Sequence, residues 1–170
     1  MAESIEFQLR PWTLNDLDNL VKYANNYKIT NNLTDQFPFP YTIENAKSFL
    51  EMALSHNPTR IFAIDIQGIA CGAIGIHPQL EIMRRNAELG YWLAEEHWGK
   101  GIMTKAISQM CKYGFDNFDF HRIYARPYGS NIGSQKVLEK AGFILEAHIP
   151  QIFIKNGRIE DELIYGIRRS

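Results

Sequence analysis

The chain has 170 residues, 45% of them hydrophobic, and 18 basic residues against 19 acidic ones give a net charge of −1. That length and apolar content predict a single domain over residues 1–170 with a sizeable core. The balanced charge, with no basic run along the chain, argues against nucleic acid as a partner. The amino-terminal "MAESIEFQLR" lacks a basic stretch followed by an apolar one, and the longest uncharged run, Ile66 to Leu80, is broken by glycines and Pro78. Neither a leader nor a membrane span is expected, and the protein is expected in the cytoplasm.

In chain order, "IEFQLRPW" reads as an opening strand, and Thr13 followed three residues later by Asp16 has the spacing of a cap for a helix through about Ala24. A polar stretch, "NNYKITNNLTDQ", leads to "FPFPY", whose prolines exclude a helix interior; Thr42 then caps a second helix ending near His56 and Pro58. The runs "RIFAIDIQ", "IACGAIGIH" and "AELGYWLA" predict three strands of an antiparallel meander. From Gly101 the period changes, with Ile102, Ala106, Ile107, Met110, Cys111, Gly114, Phe115 and Phe118 on one face, so an amphipathic helix should pack on the sheet. "HRIYARPY" reads as a strand, Asn131 to Lys140 as a helix ended by Gly142, and "FILEAHIPQIFI" and "RIEDELIYGI" as strands joined at Asn156-Gly157. The order β-α-α-β-β-β-α-β-α-β-β puts the chain in the α/β class with a mixed, largely antiparallel sheet.

Cys71 and Cys111 are too few for a disulfide framework and read as buried thiols. His56, His77, His97, His121 and His148 stand singly, without the spacing of a zinc face, so no metal is expected. The stretch "EHWGKGIMTKAI" is more informative: Gly99 and Gly101 stand just before the amphipathic helix, where backbone N–H groups at a helix start make an anion site. A dinucleotide fingerprint fails because Thr104 occupies the place of its third glycine, and no P-loop is present. The glycines alone leave two readings, a structural turn and a phosphate loop.

Taken with the second half of the chain, the pattern becomes specific. "AELGYWLAEEHWGKGIMTKAI" and "RIYARPYGSNIGSQKVLEKAGF", in this order and spacing, resemble the GNAT superfamily of acetyl-CoA-dependent N-acetyltransferases, and most the ribosomal-protein (RimJ/RimL-type) branch. The similarity takes in "FPFPYTIENAKSFL" and "NGRIEDELIYGI" and so runs over nearly the whole chain. It implies a GNAT fold of six to seven strands flanked by about four helices, with acetyl-CoA as cosubstrate. The family's pyrophosphate loop falls on Trp98, Gly99, Lys100, Gly101, Ile102 and Met103, with backbone donors through Thr104. Trp98 replaces the usual Arg or Gln, and Met103 replaces a small residue, its side chain free to turn into the core. The resemblance further implies that the backbone of Tyr91 and Leu93 pairs with pantetheine amides like an added strand. Lys100, Lys136 and Lys140 are candidates for the remaining phosphate, the alternative for each being a solvated lysine.

Acetyl transfer to an amine needs a neutral nucleophile and a proton for the departing thiolate. An α-amino group titrates at about 7.7–8.0 and a lysine at about 10.4, so the first needs only a modest base. Glu88, the one carboxylate in "NAELGYW", is the base candidate, and its burial would suit that role; the alternative is an edge glutamate in water. The position where many GNAT enzymes carry a tyrosine acid is Leu138, so the resemblance passes proton donation to Ser134, with Asn131 orienting it or bonding pantetheine. Ser134 as a small residue admitting the cofactor is the alternative. The acceptor is expected to be a primary amine, a protein N-terminus ahead of a small molecule. Phe37, Phe39 and Tyr41, with Asp35, and the hairpin at Asn156-Gly157 would flank it. A non-catalytic acyl-CoA sensor and a nucleotide-dependent enzyme of another kind are the rival functions. The sequence sets neither the acceptor nor the oligomeric state, a homodimer included.

Overall fold

The computed structural model describes residues 4–170; the first three residues of the stretch read for a leader lie outside it. The elements run β1 (Gln8–Pro11), α1 (Leu17–Ala24), α2 (Tyr27–Thr30), α3 (Ile43–Leu54), β2 (Ile61–Ile66), β3 (Ile69–Pro78), β4 (Asn86–Leu93), α4 (Ile102–Asn117), β5 (Arg122–Ala125), α5 (Ile132–Lys140), β6 (Ile144–Lys155) and β7 (Arg158–Arg168). The seven strands follow the order β1-β2-β3-β4-β5-β7-β6 in one sheet, the mostly antiparallel arrangement expected of a GNAT fold. Backbone contacts divide the chain into two compact units, one of residues up to Gly75 with Tyr91–Ile102, the other Ile76–Gly90 with Met103–Ser170.

In the first unit β2 lies antiparallel between β1 and β3. The apolar faces of α1 and α3 bury Leu20, Ala24, Ala46, Leu50 and Ala53 with Trp12, Ile61, Ala63 and Trp92 in one core. Thr42 caps α3 as its spacing predicts, accepting from the Asn45 amide at 3.2 Å while Asn45 Oδ1 accepts from the Thr42 amide at 2.9 Å. The Thr13–Asp16 signal works differently: a 3-10 turn, Leu14–Asp16, precedes α1, and the Asp16 carboxylate takes the Thr13 amide at 2.8 Å. Asp16 and the nearly buried Asp65 both bind Arg10, at 2.8 and 2.6 Å. Burial pushes the Asp16 carboxyl up, and the hydrogen bonds from Arg10 and Thr13 outweigh it, leaving it below its ordinary value. Two boundaries differ from the sequence reading. The opening strand begins at Gln8, not Ile5, and the polar stretch 25–36 contains α2. Asn26 caps that turn by accepting from the Lys28 amide at 2.9 Å, and Ile29 anchors it in the core; one turn is too short to register as a period.

In the second unit α4 packs its predicted face, Ala106, Ile107, Met110 and Cys111 all buried, against the sheet. The contact is close at Gly114, where a Cβ would stand 3.1 Å from Ile123 and 3.2 Å from Ile76. β4 and β5 are parallel, with Asn86↔Arg122, Ala87↔Ile123 and Glu88↔Tyr124 in register. Because strand side chains alternate, the buried Ala87 and Ile123 leave Asn86, Glu88, Arg122 and Tyr124 together on the other face. Asn131 caps α5, and the Phe143 amide returns to the Leu138 carbonyl at 3.0 Å to close it. The β6–β7 hairpin turns at Asn156 and Gly157, with φ of 49° and 77°, the pair of left-handed residues its dipeptide predicts. Among the described residues no helix is long and apolar enough to cross a membrane.

Candidate active site

After β4, a 3-10 turn at Glu95–His97 leads into the glycine loop and α4. Gly99 and Gly101 have φ of 72° and 75°, in the region that L side chains avoid, and a Cβ on either would meet nothing within 4 Å. The glycines therefore serve the backbone path and leave its surface open, rather than admitting a tight packing contact. The first four amides of the 16-residue α4 have no acceptor within the helix, and its dipole adds positive potential there. Ile102 and Met103 are both buried, so the Met103 side chain turns into the core and does not obstruct the loop. No carboxylate stands between Trp98 and Thr104. These donors and this openness fit a diphosphate.

Trp98 is held to the strand before it, its indole Nε1 donating to the Leu93 carbonyl at 2.7 Å. That carbonyl keeps one lone pair for a further donor. Lys100 donates to the Glu96 carbonyl at 2.7 Å, and Lys136 and Lys140 are exposed. In the first unit, Phe37 and Tyr41 meet at 4.9 Å with a 30° tilt and Phe37 meets Trp92 edge-on at 5.9 Å. Tyr41 is buried in the core, and burial pushes its phenol up to about 12. Phe39 and Tyr27 are instead exposed, edge-on at 5.7 Å, with Asp35 also exposed. Glu95 ties this loop to the turn before the glycines through Asn26 Nδ2 at 2.9 Å and the Lys28 ammonium.

Glu88 is not the isolated carboxylate the sequence suggests. Arg126 donates Nε and Nη2 to its two oxygens at 2.9 and 3.1 Å, and Nη1 reaches Glu162 at 3.4 Å. The Glu88 side chain is 27% exposed, so a guanidinium rather than burial defines its surroundings. Its hydrogen bonds hold Arg126 above the ordinary guanidinium value, against the opposing effect of burial. Burial first, and then the Glu88 charge, push the neighbouring Tyr124 phenol up, while Arg122 lies over its ring at 4.6 Å. Arg126 and Glu162 escaped sequence reasoning because they stand 38 and 74 residues beyond Glu88, on other elements, with no local spacing to link them.

Ser134 lies half-buried in the first turn of α5, its amide given to Asn131 Oδ1 at 3.2 Å. Asn131 thus orients the backbone of Ser134. Leu138, one turn on, is fully buried, so the position where the resemblance expects a tyrosine belongs to the core.

Comparison with known proteins identifies the family. The uncharacterized N-acetyltransferase YoaA of Bacillus subtilis (strain 168) is 36% identical over 96 residues, 56% of this chain and 54% of the relative. The ribosomal-protein-serine acetyltransferase of Escherichia coli (strain K12) is 28% identical over 107 residues, 63% of this chain and 59% of that protein. The chain thus spans little more than half the length of these curated relatives. A solved spermidine N-acetyltransferase from Vibrio cholerae, in complex with CoA and spermine, superposes with a TM-score of 0.80 at 26% identity, covering 95% of each chain. Residues 6–144 match the acetyltransferase (GNAT) domain, and the chain belongs to that family.

Proposed function

We propose that this protein transfers the acetyl group of acetyl-CoA to a primary amine by direct attack in a ternary complex, in the cytoplasm, with a protein N-terminus as the preferred acceptor. The observation that carries the reading is the open loop of Gly99 and Gly101, both at positive φ, at the head of α4 in a chain of this family. Backbone donors from Gly99 to Thr104 hold the diphosphate of acetyl-CoA, and the strand backbone at Tyr91 and Leu93 pairs with its pantetheine arm.

The amine nitrogen attacks the thioester carbonyl; the N–C bond forms, the C–S bond breaks, and the amine's proton must leave. Glu88 receives that proton, directly or through a water, and releases it to solvent; Ser134 passes a proton to the departing thiolate and regains one from solvent, so that an amide and the free CoA thiol result. Holding both substrates in reach supplies much of the rate. Supporting a single-ammonium acceptor, Glu88 and Glu162 share one guanidinium and retain one net negative charge between them.

A panel of short peptides compared with spermidine, free amino acids and aminoglycosides tests the acceptor. Faster acetylation of peptides supports the N-terminal reading; clear preference for a free small amine sinks it and leaves acetyl transfer intact.

A further inference from the structure

We propose that Arg126 is a positioning residue for the transfer reaction, clamping the Glu88 carboxylate in one orientation; the inference rests on the role of Glu88 as proton acceptor. Three features support it. Arg126 engages both Glu88 oxygens, at 2.9 and 3.1 Å, a fork-on-carboxylate geometry that fixes the carboxylate plane as well as its charge. Its own backbone is anchored, since Ala125 pairs with Tyr165 and the Pro127 carbonyl accepts from the Leu163 amide at 3.0 Å. Finally, Glu162 on β7 takes the remaining guanidinium edge at 3.4 Å, so three elements hold the clamp.

A carboxylate held in this way cannot rotate away from an incoming amine. The other groups around Glu88 do not reproduce this. Arg122 on β5 is occupied by Glu146 and Asn86, and it stacks on Tyr124. His77 on β3, whose Nε2 lies 3.6 Å from where a Cβ on Gly90 would stand, is exposed and has no planar fork to match a carboxylate. Glu162 is itself a carboxylate and offers Glu88 no hydrogen-bond donor; it meets Glu88 only through Arg126.

The test measures CoA release by wild type, Arg126→Gln, Arg126→Lys, Glu162→Gln and Glu88→Gln with a serine-initiated octapeptide and with spermidine, using whichever the wild type acetylates faster. Arg126→Gln should lower kcat by about 10- to 100-fold, the cost of a misplaced catalytic group, with the KM for acetyl-CoA unchanged. Arg126→Lys, which restores charge without the fork, should recover only part of kcat. Glu162→Gln leaves both bonds to Glu88 intact and should cost less than either. The inference is overturned if Arg126→Gln matches the wild type while Glu88→Gln is impaired, or if Glu162→Gln costs as much as Arg126→Gln. If Glu88→Gln is itself unimpaired, or the wild type acetylates neither amine, the underlying reading falls and the inference with it.

Discussion

Replacing Gly101 with alanine isolates the contribution of the glycine loop. Its φ of 75° costs an L residue roughly 1–2 kcal/mol, while the open space around the site adds no steric cost, because a Cβ there meets nothing within 4 Å. In the variant the unliganded loop relaxes out of the left-handed region, and binding must restore it. The Kd for acetyl-CoA should therefore rise about 5- to 30-fold, since about 1.4 kcal/mol is a factor of ten. Isothermal titration calorimetry with acetyl-CoA reads this directly. Gly68→Ala is the matched control, with φ of 84° and equally open surroundings in the turn between β2 and β3. It should lower the melting temperature and leave acetyl-CoA affinity unchanged. Wild-type affinity in Gly101→Ala, or an equal loss in Gly68→Ala, would refute the reasoning.

Ser134→Ala should lower kcat more than it raises the KM for acetyl-CoA, because thiolate charge develops only in the transition state; an unchanged kcat in a chemistry-limited assay would reduce Ser134 to a spacer. Glu88→Gln should depress turnover strongly at neutral pH and much less at high pH, where more of the amine is already neutral; parallel pH profiles would contradict its role as proton acceptor. Arg10→Ala strands the nearly buried Asp16 and Asp65 and should cost about 3–5 kcal/mol in urea unfolding at pH 7. The Asp16 carboxyl is held below its ordinary value in the folded chain, so its share of stability is full above about pH 4 and is lost as pH falls through the folded value. A pH-independent deficit in Asp16→Asn across that acid range would argue against the linkage.

Where the sequence carries a period or a paired signal, the fold was legible from it. The face of α4, the Thr42 cap, the Asn156-Gly157 turn and the strands β4 and β5 all carry local patterns, and each appears as read. The single-turn α2 was not legible, because Asn26 and Ile29 define it through one cap and one anchor. The candidate site divides along the same line. The glycines announce themselves by their place before a helix, whereas the Glu88–Arg126–Glu162 clamp depends on a parallel β4–β5 register and on β7 following β5 in the sheet, which no spacing along the chain encodes. The aromatic cluster shows a third case. Phe37, Phe39 and Tyr41 look alike in sequence, yet burial sends Tyr41 into the core and leaves Phe39 exposed.

Acetyl transfer itself is tested most directly by mass spectrometry of the purified protein incubated with acetyl-CoA and a mixed panel of short peptides and free amines. The account predicts an acetylated amine formed together with free CoA, and loss of both products in Gly101→Asp, where a carboxylate is set against the diphosphate. Tight binding of acetyl-CoA with no acetylated amine anywhere in the panel would contradict it and favour an acyl-CoA sensor.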